Sequence, residues 1–207
     1  MVRFIIVRHG VTDFNRENRY QGQFDSSLDP VGVEQARVTA EHVAKNYRLD
    51  AIYASDLSRT MKTAEPFAKL CGLEVHPEPA LREIDVGRWT GRLLSEVKVE
   101  DAECFTNYVT HPETYGCPEG ESYADVRARV TEALERIANE NDGKTVLIVS
   151  HGGTIRSLIC AWLGYEIKDI KKVCSIRNTS ITIAEYEGGK INFTLMGDQS
   201  HLPEDLK

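Results

Sequence analysis

The chain has 207 residues, 41% hydrophobic and 28% charged, the composition of an ordinary globular protein with enough length for one substantial core. Its formal net charge of −7, from 32 acidic against 25 basic residues, weighs against nucleic acid or an anionic membrane surface as a partner. No apolar run reaches the roughly 18 residues of a membrane span, and the five cysteines (Cys71, Cys104, Cys117, Cys160 and Cys174) form no Cys-x-x-Cys pair, so they are expected to be reduced rather than disulfide-bonded or zinc-bound.

Met1-Val2-Arg3 leads directly into Phe4-Ile5-Ile6-Val7, an apolar run before Gly10 that reads as a buried strand of a largely parallel sheet and leaves no room for a signal peptide. Asp29-Pro30 marks a helix start, Asp29 as N-cap and Pro30 at the first helical position, with Ala36, Ala40, Val43 and Tyr47 on one face. Ala51 to Ala54 reads as a second strand. Ser55-Asp56 then reads as the cap of a helix carrying Leu57, Met61, Ala64, Ala68 and Cys71, which Pro66 is expected to kink or end early. A short strand at 73–76 leads through Pro77 and Pro79 to the loop Leu81 to Gly91. Residues 92–121 lack a sustained period and read as a partly helical excursion over the sheet edge.

Ser122 with Asp125 approximates a capping box ahead of the stripe Val126, Val130, Leu134 and Ile137. Val146-Leu147-Ile148-Val149 repeats the pattern of the first strand and ends at His151, and Ile155, Leu158, Ile159 and Trp162 mark a helix running to Gly164. Residues 180–186 and 191–196, joined through Gly188-Gly189, read as a β-hairpin, and 198–207 as an irregular tail. This order predicts a three-layer α/β/α sandwich with a mostly parallel sheet and one antiparallel strand, forming a single cytoplasmic domain over 1–207.

Arg8-His9-Gly10-Val11-Thr12 after the first strand has a counterpart in Ser150-His151-Gly152-Gly153-Thr154. In open α/β sheets ligands bind outside the carboxyl ends of the strands, so the two histidines can meet across one pocket. An anion pocket in an acidic protein needs a local cluster of cations. Arg8 adjoins His9, and Arg59 lies at the start of the helix after the second strand, where free N–H groups and the helix dipole add positive potential. Arginine grips phosphate bidentately, which makes this pair suited to that anion. The same arginines oppose a metal held by His9, His151 and carboxylates, and no zinc spacing is present, so neither metal nor cofactor is expected.

Five linked blocks resemble the histidine phosphatase superfamily, the phosphoglycerate mutase-like fold, from residue 2 to about residue 180. They are Arg8-His9-Gly10 with Thr12 and Asn15; Gln21-Gly22 with Asp25, Leu28, Gly32 and Gln35-Ala36; Ser55-Asp56-Leu57-Ser58-Arg59-Thr60 with Thr63-Ala64; Leu81-Arg82-Glu83 with Gly87, Trp89 and Gly91; and Ser150-His151-Gly152-Gly153. His201-Leu202 is similar to the tail of the phosphatase branch. The resemblance implies that His9 is the nucleophile and becomes a phosphohistidine, that Arg8, Arg59 and His151 hold the phosphoryl oxygens, and that Asn15, Gln21 and the Gly152 N–H add hydrogen bonds. It makes Glu83 the general acid, then the base toward water. These roles require a neutral His9 whose second ring nitrogen donates to a backbone carbonyl, a His151 that favours its charged form beside an anion, and a protonated Glu83 when the leaving group departs.

Asp85 reads as a loop or cap residue, and Arg82 as either an ion-pair partner or a substrate contact. The block Leu81 to Gly91 is similar to the compact phosphatases, among them broad-specificity and alpha-ribazole phosphatases, whereas the mutases carry a Tyr-Gly-containing version and a longer insertion before the second histidine. The expected activity is hydrolysis of phosphomonoesters of small metabolites, by a monomer or homodimer. The alternatives are a cofactor-dependent phosphoglycerate mutase and a non-catalytic phospho-ligand binding module. Phe24, Phe105, Tyr108, Tyr115 and Cys117 are candidate substrate contacts, and Glu119 and Glu121 near the entrance would disfavour highly charged substrates.

Overall fold

A computed structural model describes residues 1–207. Its strands are β1 (Val2–Arg8), β2 (Ala51–Ala54), β3 (Val75–Pro77), β4 (Thr145–Ser150), β5 (Ile181–Glu187) and β6 (Lys190–Asp198). Its helices are α1 (Asp13–Arg16), α2 (Pro30–Asn46), α3 (Ser58–Cys71), α4 (Leu94–Glu100), α5 (Ala102–Thr110), α6 (Tyr123–Glu140) and α7 (Gly152–Trp162). One sheet holds all six strands in the order β3-β2-β4-β1-β5-β6. β1 and β3 each pair parallel with a neighbour on the β4 side, β2 and β4 also pair parallel, and only β5 runs against the rest.

The unbroken apolar run of β1 follows from its place in the middle of this sheet. Phe4 and Ile6 pack toward α6 and α7, while Ile5 and Val7 pack toward α2 and α3, and all four are essentially without exposure. A strand with a helix layer on each face needs apolar side chains at every position, not at alternate ones. Residues 84–126 add a smaller third cluster, with Trp89 fully buried among Val86, Val97, Tyr108 and Cys117.

Local chemistry sets the helix ends. Asp29 accepts from the Gly32 N–H at 2.6 Å with Pro30 at the first position of α2, and Ser122 and Asp125 form the capping box of α6. The expected cap of α3 is corrected: its N-cap is Leu57, which has no side-chain acceptor, and Asp25 from the preceding loop takes the Ser58 N–H and hydroxyl instead. Asp56 is occupied by Arg82, and Ser55 by His151. Pro66 neither ends nor shortens α3, which runs on to Cys71. The carbonyl deprived of its donor belongs to exposed Lys62, where water can serve it.

The excursion forms α4 and α5, and through Tyr108 it walls the cavity that His9 also lines. The tail is also more ordered than expected. It closes on a short 3₁₀ turn at Glu204–Leu206, buries Leu202 and Leu206, and accepts a hydrogen bond at the Leu206 carbonyl from Gln35 of α2 at 2.7 Å. No helix is long and apolar enough to cross a membrane.

α2 begins against the loop that follows β1. A Cβ on Gly32 would stand 2.0 Å from the Val11 carbonyl oxygen, and one on Gly10 would stand 2.4 Å from the Gly32 oxygen. Gly32→Ala therefore tests contact against propensity. Alanine should stabilise a helix interior by about 0.5–1 kcal/mol, but the backbone overlap should reverse the sign and cost about 1–3 kcal/mol. Urea unfolding measures the difference, and a stabilised variant would contradict the packing.

Candidate active site

β1 and β4 pair in parallel with Arg8 opposite Ser150, so His9 and His151 are the next residues of adjacent strands. Their ring centroids lie 5.2 Å apart. His9 is 2% exposed, and its Nδ1 lies 2.7 Å from the Gly10 carbonyl oxygen. A carbonyl only accepts, so Nδ1 carries the proton and Nε2 keeps a lone pair. Burial, then Arg59 and Arg8, pushes His9 well below the usual histidine range against a smaller upward pull from Gly10. The ring is neutral.

His151, wholly buried, is the N-cap of α7, and its Nε2 is 2.9 Å from Ser55 Oγ. Burial, followed by Arg59, His9 and Arg8, also pushes it well below the usual range. The charged form expected for His151 is thus not the one the free pocket favours. Only an anion added among these groups would reverse the balance.

Arg59 is fully buried in the first turn of α3 and donates from Nη1 to the Phe24 carbonyl and from Nη2 to the Gly22 carbonyl, each at 2.8 Å. Burial lowers it to about 10, with Glu83 and Asp25 pulling upward. Arg8 donates from Nη1 to the Ile176 carbonyl at 2.8 Å. In both arginines Nε is buried without an acceptor, as is Nδ1 of His151. Buried donors without partners are costly, and both arginines line one cavity, where an oxyanion would supply acceptors.

The remaining predicted phosphate ligands gather at the same spot. Asn15 Oδ1 accepts from Thr12 and Asn178, and Gln21 Oε1 accepts from Thr12 and Ser26, which leaves each amide nitrogen to face the cavity. Gly152 opens α7 beside the Arg8 guanidinium, and its N–H has no intrahelical acceptor. Glu83 sits at the same helix end. Its Oε1 accepts from the Ile84 N–H at 2.9 Å and the Thr154 N–H at 3.1 Å, and its Oε2 from the Gly153 N–H at 3.1 Å. A Cβ on Gly153 would stand 2.7 Å from Glu83 Oε1, so any larger residue there would displace the carboxylate.

The cavity has a volume of about 220 Å³. A family model described as the histidine phosphatase superfamily (branch 1) matches residues 4–199. The chain is 38% identical over 167 residues to phosphoserine phosphatase 1 of Hydrogenobacter thermophilus, covering 81% of this chain and 79% of that one. It is 35% identical over 205 residues to phosphoglycerate mutase-like protein 4 of Arabidopsis thaliana, covering 97% and 86%. The solved structure of Bacillus stearothermophilus YhfR superposes with a TM-score of 0.92 at 32% identity, covering 97% of this chain and 99% of that one. The chain belongs to the histidine phosphatase superfamily.

In this histidine phosphatase only Tyr108 of the five expected substrate contacts lines the cavity, where it is joined by Arg19, Tyr20 and Tyr123. Phe105 and Cys117 turn into the small third cluster, Phe24 stacks on Phe14 at the surface, and Tyr115 is 45% exposed beside His111. Glu121 is no entrance charge, because it is locked to Arg129. Arg82 pairs bidentately with Asp56, and Asp85 Oδ1 accepts the Gly87 N–H in its own loop. A wider groove of about 630 Å³ between the ends of α2 and α3 holds none of the predicted site residues.

Sequence reasoning missed the groups that hold the others in place. Ser55 orients His151, Thr63 Oγ1 accepts the Gly10 N–H at 3.0 Å, and Asn178 donates to the His9 carbonyl at 2.9 Å. Ser55 carried a readable signal, since it follows β2 as the histidines follow β1 and β4. Asn178 and Arg129 carried none.

Neutral burial of His9 and His151 makes stability depend on pH. Both native pKa values lie below 6.5, so under that pH the unfolded chain binds protons that the native chain refuses. Their contribution is full above pH 7 and falls through 6.5 by up to about 1.4 kcal/mol per pH unit for each ring. Urea unfolding from pH 7.5 to 5 should show a shallower loss for His151→Asn than for the unaltered chain; equal slopes would contradict a neutral buried His151.

Proposed function

We propose that this histidine phosphatase hydrolyses phosphomonoesters of small metabolites through a phosphohistidine on His9, with Glu83 as general acid and base. The observation that carries this reading is the neutral His9, its Nδ1 fixed by the Gly10 carbonyl and its lone pair at Nε2 presented among Arg8, Arg59 and Glu83. Nε2 attacks phosphorus as the ester P–O bond breaks, and the carboxyl of Glu83 gives its proton to the departing oxygen. A phosphate ester ionises a second time near pH ~6, so the bound monoanion can bring that proton into the pocket. Water then attacks the phosphohistidine, its proton passes to the Glu83 carboxylate, and the N–P bond breaks to release phosphate.

Arg8, Arg59, Asn15, Gln21 and the Gly152 N–H supply fixed donors to the equatorial oxygens, where charge is spread in the transition state. His151 becomes a further donor once the anion favours its protonation. The cavity volume of about 220 Å³ suits a compact ester and leaves little room for a nucleotide or a phosphopeptide. All of these groups serve one pocket at the end of one sheet, which supports a single catalytic domain over 1–207. No group of three or more His, Cys, Asp or Glu is gathered to hold a metal, and the mechanism uses none.

Phosphate release from an aryl phosphate, 3-phosphoglycerate, alpha-ribazole 5′-phosphate and sugar phosphates should proceed in the presence of a chelator and cease in His9→Ala. Isomerisation of phosphoglycerate dependent on 2,3-bisphosphoglycerate, with little phosphate released, would make the protein a mutase. Tight phosphate binding without turnover would make it a binding module. Glu83→Gln should cost alkyl phosphates about 10²–10⁴-fold and activated aryl phosphates much less, and equal losses would remove Glu83 from proton transfer.

A further inference from the structure

The Glu83 side chain is held by α7, and the backbone that carries it is held by Thr154 of α7 at the Arg82 carbonyl, by Gln23 at the Glu83 carbonyl and, with the most bonds, by a different helix. Arg129 of α6 projects into the loop 80–85. Its Nη1 donates to the Ala80 carbonyl at 2.7 Å and the Arg82 carbonyl at 2.8 Å, and its Nη2 donates to the Glu83 carbonyl at 3.1 Å. Nε and Nη2 also bind Glu121 side-on, at 2.8 and 2.9 Å. All five donors of the guanidinium are therefore in use.

Glu121 extends the clamp. Its Oε2 also accepts the Asp85 N–H at 2.8 Å, and its own N–H donates to the Asp85 carbonyl at 2.8 Å. A Cβ on Gly120 would stand 2.3 Å from the Asp85 oxygen, and one on Gly87 would stand 2.1 Å from the Pro118 oxygen, so the two loops touch backbone to backbone. Neither Arg129 nor Glu121 lines the cavity.

We propose that Arg129, braced by Glu121, is the positioning residue for Glu83, setting the depth of its carboxyl over the ester oxygen. The proposal rests on the acid and base reading of Glu83. No other residue type offers five donors in one plane: lysine supplies three from a single point and cannot span three carbonyls and a carboxylate. A loop released from the clamp leaves the phosphate ligands in place but moves the proton donor. Loss should therefore appear where protonation of the leaving group limits the rate.

The test compares the unaltered enzyme, Arg129→Lys, Glu121→Gln and Glu83→Gln on phosphate monoesters whose leaving groups run from p-nitrophenol to simple alkanols. Thermal melts identify the folded fraction. Arg129→Lys should lose about tenfold to a hundredfold in kcat on alkyl esters, little on p-nitrophenyl phosphate, and change KM for neither appreciably. Glu121→Gln should shift the series the same way by less, and it carries the test if Arg129→Lys does not fold. A leaving-group dependence steepened by Glu83→Gln but unchanged by both clamp variants overturns the positioning role and leaves the acid and base reading intact. An unchanged dependence in Glu83→Gln overturns that reading, and the positioning role with it. A uniform loss across the series in the clamp variants would make the clamp structural only.

Discussion

The parallel pairing of β1 with β4 is the constraint on which everything else depends. With Arg8 opposite Ser150, the residues after the two strands become neighbours although the chain between them makes two further strands and six α-helices. Two imidazoles then share one buried corner, and β2 on the far side of β4 brings Ser55 to the same level. A slip of one residue would turn the β1 side chains to the opposite helix layer and set each apolar group in a core shaped for the other. The packing of Phe4 and Ile6 on one face and Ile5 and Val7 on the other thus locks the register, and the register builds the site.

That corner is expensive to maintain. Two arginines with a buried, unpartnered Nε and two neutral histidines lie within it, in a protein whose overall charge is −7. Carbonyls from Gly22, Phe24 and Ile176 satisfy part of the guanidinium donors, and the helix layers on both sides hold the rest at close quarters. A field of fixed donors in a water-poor site attracts and stabilises an anion far more strongly than the same donors at the surface. The negative surface is compatible with a phosphorylated ligand because the positive potential is local and buried.

Glu83 lies where two helices of one layer, α6 and α7, meet its loop. The N–H groups of Gly153 and Thr154 fix its carboxylate to the start of α7, and Arg129 ties its backbone to α6. The excursion of α4 and α5 then closes over that loop with its own small core around Trp89. Tyr108 and Tyr123, stacked at 5.4 Å between ring centroids, carry that core to the rim of the cavity. The segment 92–121 and the loop that carries Glu83 are in this way one packed unit.

The sequence by itself determined the strands, most helix boundaries and the placing of two histidines after strand ends, because these follow from short-range patterns: apolar runs, Asp29-Pro30, Ser122 with Asp125, and His-Gly after a strand. It misread Ser55 and Asp56 as a local cap because each has a partner far along the chain, His151 and Arg82. It also misplaced Phe105 and Cys117, since an apolar residue near a pocket looks the same whether it faces the cavity or the core beneath it. Only the tertiary structure decided the protonation of His9 and His151, the clamp of Arg129 on residues 80–83 and the choice of Tyr20, Tyr108 and Tyr123 as cavity walls. Each of these depends on burial and on charges brought together across long stretches of chain, and neither can be read from the spacing of residues.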